Sequence, residues 1–463
     1  MRLSIIICFH LSILWAAGAS GGAAAVGRLD ATADSKESAA RIDMVWTATD
    51  GRSTMAIDAA LGGGGSIYVL VSVYDASACG LSGNEQLDIG SNEGFRVIRV
   101  DPNGATEALI DLRGPLHASA MCYDELHSKI YVTGGFSTGC LDFDPGGSED
   151  THVGLAQENL FLSCFHLDGG YQWTNSWNGS YGCDVVVDEN GFVYVVGEYG
   201  WEALEEHTGM LTPVPTGLQI RGENRALVSR GGLDGFLVRL SPLAEALWVR
   251  TWGGPCDERV TAAVITGEGD VVVLGHTEAP YPWSSMPIES GCRLCDVVRV
   301  SSFNPDGRPC LGAMFEGESV TLVSGPCGVS QCAFGMSRQP YQVFQVTQHG
   351  LLALYYCDAT RLELTAMAVL DDSRVVVGGR RSFENESEEA LSSPTAHYVK
   401  PGQTFCGYLG YGGSIEVVAL VDEDTAFYTI NGIVPGQNEA FVFGDIWQMP
   451  DGSPRAFVGR TLL

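Results

Sequence analysis

Between Lys129 and Gly147 the chain reads KIYVTGGFSTGCLDFDPGG, which sets two kinds of reactive residue side by side. Gly135-Phe136-Ser137-Thr138-Gly139 has the Gly-x-Ser-x-Gly spacing of a nucleophile elbow, where a strained strand-to-helix turn exposes the serine hydroxyl. Asp142, Asp144, Glu149 and Asp150 follow closely and offer hard oxygen ligands of the kind calcium takes. Context decides against the elbow: β-forming residues precede it, Asp-Phe-Asp-Pro-Gly-Gly follows with no helical pattern, and no later His is marked as a triad partner. The acids lack the glycine and terminal glutamate positions of an EF-hand loop. A structural calcium is the one cofactor they point to, and turn capping is the simpler reading.

The remaining chemistry-bearing residues divide in the same way. Cys327 and Cys332 flank Gly-Val-Ser-Gln between two β-like runs and form the expected disulfide. Cys292-x-x-Cys295 has no second pair at zinc-site spacing. The nine His include no His-x-His or His-x-x-x-His pair. Gly62–Ser66, GGGGS, lacks the Lys-Ser/Thr of a phosphate loop and reads as a hairpin turn. Trp201, Glu202, Glu205, Glu206, His207, Tyr281 and Trp283 bring aromatic faces and carboxylates into long insertions, a combination suited to sugar or peptide ligands.

Composition bounds what these residues can serve. The formal net charge of −30 on 463 residues, with only 26 Lys+Arg, leaves no basic surface for nucleic acid. Residues 1–25 have a charged start, a short apolar run and Ala-x-Ala sites, the layout of a secretory signal. No later stretch reaches the roughly 18 apolar residues of a spanning helix. The expectation is a secreted or periplasmic, cell-envelope protein, monomeric, with a protein or polysaccharide partner at or beyond the cell surface. Of the 14 cysteines, Cys8 falls in the leader; the odd remainder suits an oxidising compartment, with at least one thiol free or bonded between chains.

The elements that position these residues are repeated. A β run, a short turn and a β run ending near Gly recur as VVVDENGFVYVVG (185–197), AVITGEGDVVVLG (263–275) and AVLDDSRVVVGG (368–379), with looser copies at 56–71, 121–134, 322–335 and 419–432. A second hairpin separates them, as in GFLVRLSPLAEALWVRTWGG (235–254), with turns spelled DPNG and NPDG. Seven four-stranded units at this spacing predict an all-β, seven-bladed propeller of antiparallel blades over 42–463, preceded by a linker at 26–41. MVWTATD (44–50) and RAFVGRTLL (455–463) both read as outer strands, so ring closure is expected to involve both termini.

The run DGFLVRLSPLAEALWVRTWGG, followed by DERVTAAVITGEGDVVVLGHTE, resembles the seven-bladed propeller repeat of bacterial secreted proteins known as SBBP. IYVTGGFSTGCLDFDPGG resembles that group's Asp-Phe-Asp-Pro-Gly extension; the likeness is strong over about 120–280 and weak over 296–345. The resemblance implies a fold and an extracytoplasmic setting, and no activity.

Loop lengths carry the functional expectation. Insertions 75–93, 137–158, 199–233, 277–295 and 382–395 all join second to third strands, so they share one face of the ring while the opposite face keeps short turns. Elaborated loops on a rigid scaffold concentrate function. The expectation is a non-catalytic propeller binding a protein or glycan with this face, and removal of 201–228 is expected to spare the fold. The alternative is a hydrolase, lyase or quinone-dependent oxidoreductase working at the channel mouth. An enzyme needs His, Arg or acids converging from several inner strands, whereas the inner runs read as small and apolar. Asp58, Asp188, Asp371 and Asp422 recur at their ends as turn residues.

Overall fold

The computed structural model describes residues 40–41, 43–48, 53–74, 79–81, 87–89, 92–204, 211–279, 295–316, 318–327, 330–338, 341–347, 350–357, 362–381, 403–409, 415–421, 426–436, 439–448 and 454–462. Residues 1–39 lie outside them, as do Glu205, Glu206, His207, Tyr281 and Trp283. No helix among the described residues is long and apolar enough to cross a membrane.

Seven four-stranded antiparallel sheets form the ring. Their inner strands are Ser53–Leu61, Leu116–Asp124, Ser180–Val187, Glu258–Ile265, Glu318–Cys327, Leu362–Val369 and Ala426–Pro435, for blades 1 to 7 in turn. Each blade then steps outward strand by strand. Blade 7 takes its second and third strands from Glu439–Gln448 and Pro454–Leu462, and its outer strand is Asp43–Thr47 from the other end of the chain. Both termini thus close the ring, as expected. The C-terminal run is the third strand rather than an outer one, because Asp43–Thr47 covers its free edge.

One unit is displaced from its expected place. EVVALVD is the outer strand of blade 6, Ile415–Leu420, and TAFYTING opens blade 7 as its inner strand. The outer strand reads like an inner one because Ile415 and Ala419 are buried and its edge is covered by Ala40–Arg41 running parallel beside it.

Burial explains why the repeat reads as solid β runs. Middle strands are packed on both faces: every residue of Val193–Tyr199 is buried, as are all but the last of Ile67–Tyr74. The outer strand Thr106–Arg113 buries only Ile110 and Leu112 and alternates accordingly. Between blades 1 and 2, Phe95 and Phe161 stack at 5.9 Å, both fully buried and each contributing roughly 1.5–3 kcal/mol. The short turns are built as their spelling implies. Asp188 Oδ1 accepts the N–H groups of Asn190 and Phe192, and Gly191 takes the positive φ of 78° that a side chain would resist.

Each inner strand carries one β-bulge, at Ile57, Ser119, Cys183, Thr261, Val320, Thr365 and Asn431. The bulge presses the strand's backbone toward its neighbour. A Cβ at Gly134, Gly197, Gly275, Gly379 or Gly444 would fall inside the carbonyl oxygen of His117, Tyr181, Arg259, Glu363 or Thr429. The first four are the glycines that end copies of the sequence repeat; blades 1 and 5 carry Val71 and Ser337 instead.

The bulges also stitch blade to blade. Ser119 Oγ donates to Gly182 O at 2.5 Å, Thr365 Oγ1 to Ile430 O at 2.5 Å, and Asn431 Nδ2 to Ala56 O at 2.8 Å. Thr261 and Ser319 share a hydroxyl bond across the seam between blades 4 and 5. Asp58 is therefore no turn residue: it follows a bulge, and its Oδ2 accepts Met121 N–H of the next blade at 2.9 Å. Asp184 does the same for Ala263 N–H at 2.7 Å, and Asp445 for Ala56 N–H at 2.8 Å.

The insertion of blade 3 departs from the expectation of a dispensable loop. Its strand Thr216–Ile220 wedges against the outer rim, with Leu218 and Ile220 buried in the cluster holding Trp177 and Ala246. Cutting out 201–228 would strip core, not only surface.

Cysteine serves this core largely as a small apolar residue. Cys164 and Cys406 are buried free thiols, and Cys122 and Cys183 are half-buried ones. For the expected Cys327–Cys332 pair, backbone register puts Gly325 opposite Cys332 and Cys327 opposite Ser330, a diagonal relation on one hairpin; the Cys327 side chain lies outside the described residues.

Two outcomes test this account. Gly197→Ala should lower stability by about 2–4 kcal/mol in urea unfolding, because its Cβ meets Tyr181 O and the Phe236 ring. Gly217→Ala, which points into open space, should stay within about 0.5 kcal/mol. A chain beginning at Ser53 should melt lower and self-associate in size-exclusion chromatography, since the edge of Pro454–Leu462 is then bare.

Candidate functional site

The long-loop mouth of the ring holds a cavity of about 380 Å³ where blades 2, 3 and 4 meet. His117, Tyr181 and Arg259 enter it from three successive inner strands, two residues before the bulge in each. Ser119, Cys183 and Thr261 are the bulge residues themselves. Glu198 comes from the second strand of blade 3, directly after Gly197. Glu158 and Trp201 are supplied by the insertions. His, Arg and acids from several strands thus do converge, against the expectation of small, apolar inner runs.

The two insertion residues are held firmly. Asn159, wholly buried, accepts the N–H groups of Leu155 and Ala156 and donates to Phe136 O and Ala156 O, which fixes the returning chain next to Glu158. Trp201 is seated by its own N–H on Gly179 O and by Val214 N–H on its carbonyl. Gly135, first glycine of the Gly-x-Ser-x-Gly run, leaves the space that Glu158 and the Tyr181 ring fill. Ser137 itself is exposed, and its N–H donates to Pro115 O. The motif makes room for a site rather than supplying a nucleophile.

Within the cavity the charges are matched unevenly. Glu198 is buried, with Oε1 accepting Val260 N–H at 3.0 Å and Oε2 accepting from Arg259 at 3.1 Å. Arg259 also reaches Asp257 at 3.4 Å. His117 Nε2 stands 3.7 Å from Glu158 Oε2, and its ring stacks on Tyr181 at 5.2 Å. Glu158 Oε2 and Trp201 Nε1 are buried without a hydrogen-bond partner. Burial pushes the Glu158 carboxyl up to about 7, so it changes protonation near neutral pH, and lowers His117 below the usual imidazole range. Burial also holds the Cys183 thiol well above its usual range, too high for a nucleophile.

Of the residues proposed from sequence, Trp201 is at the cavity. Glu202 opens the adjoining hairpin, where its carbonyl accepts Gln157 N–H, and it does not line the cavity. Of the four acids of 142–150, Asp142 and Asp144 cap their own hairpin and Asp150 ties it to the outer strand of blade 2. Asp142 Oδ1 accepts the N–H groups of Asp144 and Asp150, Asp144 Oδ1 accepts Gly146 N–H, and Asp150 accepts from the Tyr171 hydroxyl. Glu149 is exposed beside Thr151. Among the described residues no three His, Cys, Asp or Glu gather as a metal would require. Reading the sequence missed His117, Glu158, Tyr181, Glu198 and Arg259. One signal was present: the residue after the repeat's final glycine is polar in three blades, Glu198, His276 and Arg380.

No family model and no curated protein matches the sequence. Among solved structures, the Cps50 (Swd1) β-propeller domain of Myceliophteria thermophila aligns over 90% of this chain and 99% of its own, at 11% identity and a TM-score of 0.47. The WD40 β-propeller domain of Doa1 aligns over 90% and 96%, at 11% identity and 0.41. Puromycin hydrolase aligns over 90% of this chain at 13% identity and 0.44, and the chain spans 56% of that enzyme's length.

The raised carboxyls make a definite pH dependence. An acid whose folded value lies above its unfolded one costs stability as pH climbs from the unfolded to the folded value. For Glu158 that window runs from 4.5 to about 7. Asp58 and Asp445, pushed by burial to about 6, and Asp184, to about 7, act with the same sign. The melting temperature should therefore fall between pH 5 and pH 8. Glu158→Gln should match the parent at pH 4 and melt higher than it at pH 8.

Proposed function

We propose that the chain is an exported, non-catalytic propeller that binds a protein or glycan partner through its long-loop face, with the cavity between blades 2 and 4 as the anchoring pocket. One observation carries the reading: Glu158 and Trp201 both line the cavity on the elaborated face, and each carries a buried polar atom, Oε2 and Nε1, without a hydrogen-bond partner. An unmet buried donor or acceptor costs roughly 1–3 kcal/mol, a cost that a bound ligand can remove. The pocket volume lies at the small end of the range of about 300–1,000 Å³ in which ligands bind. Residues 1–25 and the SBBP resemblance support export.

A second reading, an enzyme at the channel mouth, is favoured by the His117–Glu158 pair, an imidazole 3.7 Å from a carboxyl that burial raises to about 7. Arrays of glycans and peptides probed with the purified chain separate these readings. Trp201→Ala should abolish the hits without moving the melting temperature, whereas Asn190→Ala on the short-turn face should leave them intact. Hits that survive Trp201→Ala would move the site elsewhere. Slow conversion of a bound glycan, lost in Glu158→Gln, would replace binding with catalysis.

A further inference from the structure

We infer that the cavity between blades 2, 3 and 4 takes a neutral, hydroxyl-rich sugar ring. This rests on the binding reading above and narrows it to one ligand class. The strongest cation in the cavity is already engaged, since Arg259 is shared between Glu198 and Asp257. An anionic ligand would have to displace those carboxylates, and would approach a chain of net charge −30. A cationic ligand fits no better. Glu198 is committed to Val260 N–H and Arg259, which leaves only Glu158, and that carboxyl already faces His117.

What the cavity lacks is one acceptor, for the Trp201 indole N–H, and one partner for Glu158 Oε2. A hydroxyl group accepts and donates at once, so adjacent hydroxyls of one ring meet both needs without bringing charge. The faces of Trp201 and of Tyr181, backed by the His117 ring at 5.2 Å, offer apolar surface for the C–H side of such a ring. The small hydroxyls of Ser119 and Thr261 are spent on the blade seams, so the ligand contacts fall to the larger groups. The cavity volume of about 380 Å³ suits a single ring or chain end.

Isothermal titration of the whole chain tests the inference. The probes are cello-, xylo-, manno- and chito-oligosaccharides, with oligogalacturonate and tetralysine as charged comparators. At least one neutral series should saturate. Trp201→Phe, which keeps a ring but removes the N–H, should weaken that binding about tenfold. Glu158→Gln should weaken it several-fold at pH 8 while raising the melting temperature, so a loss of affinity there is not a loss of fold. Saturation by oligogalacturonate or tetralysine alone, sensitive to Trp201→Phe, would sink the sugar class and leave the binding face standing. Binding of any probe that ignores Trp201→Ala and fails in Asn190→Ala would overturn both. The absence of saturation by every neutral series would overturn the inference outright.

Discussion

A single extra residue in each inner strand sets the geometry on which the ring depends. The bulge opposes two residues to one, bends the strand and turns a backbone carbonyl toward the second strand. Glycine follows from that bend in five blades, because no side chain fits against the displaced carbonyl. The bend also brings a hydroxyl, amide or carboxylate within reach of the next blade, as at Ser119, Thr365, Asn431 and Asp184. Side chain-to-backbone bonds of this kind cross most seams, so apolar packing between blades is held in one rotational setting.

The same bulges create the cavity. Their hydroxyl and thiol side chains form its floor on the three blades that line it, and the residues two places earlier form its walls. A polar site can exist in a ring built of apolar strands because these positions sit at the channel mouth, beyond the two-sided packing of the middle strands. The insertions then close it with Glu158 and Trp201.

Sequence reading reached as far as periodicity reaches. The blades were readable because strand, turn and glycine recur, and the closing strand because MVWTATD reads as an outer strand. Blade 7 was misplaced by one strand because burial gives Ile415–Leu420 the apolar look of an inner run. Most of the site was not readable, for a related reason. His117, Tyr181 and Arg259 occupy one structural position but share no residue type, so no repeat marks them. Glu158 lies at an insertion end whose fastening depends on the buried Asn159. Trp201 was found because a tryptophan in a long polar insertion stands out from its surroundings.

Closure by the first strand imposes an order in time. Asp43–Thr47 must find Pro454–Leu462, and Ala56 must meet Asn431 and Asp445, contacts separated by almost the whole chain. During synthesis the first strand has no edge to join until the last blade has emerged. Every earlier blade meanwhile stands as an open arc with one apolar face uncovered, a species that long-range β topologies keep in existence for longer than local ones do. The last event of folding is thus the pairing of the chain's two ends, and the lifetime of the open arc sets how long its faces stay available to chaperones or to other copies.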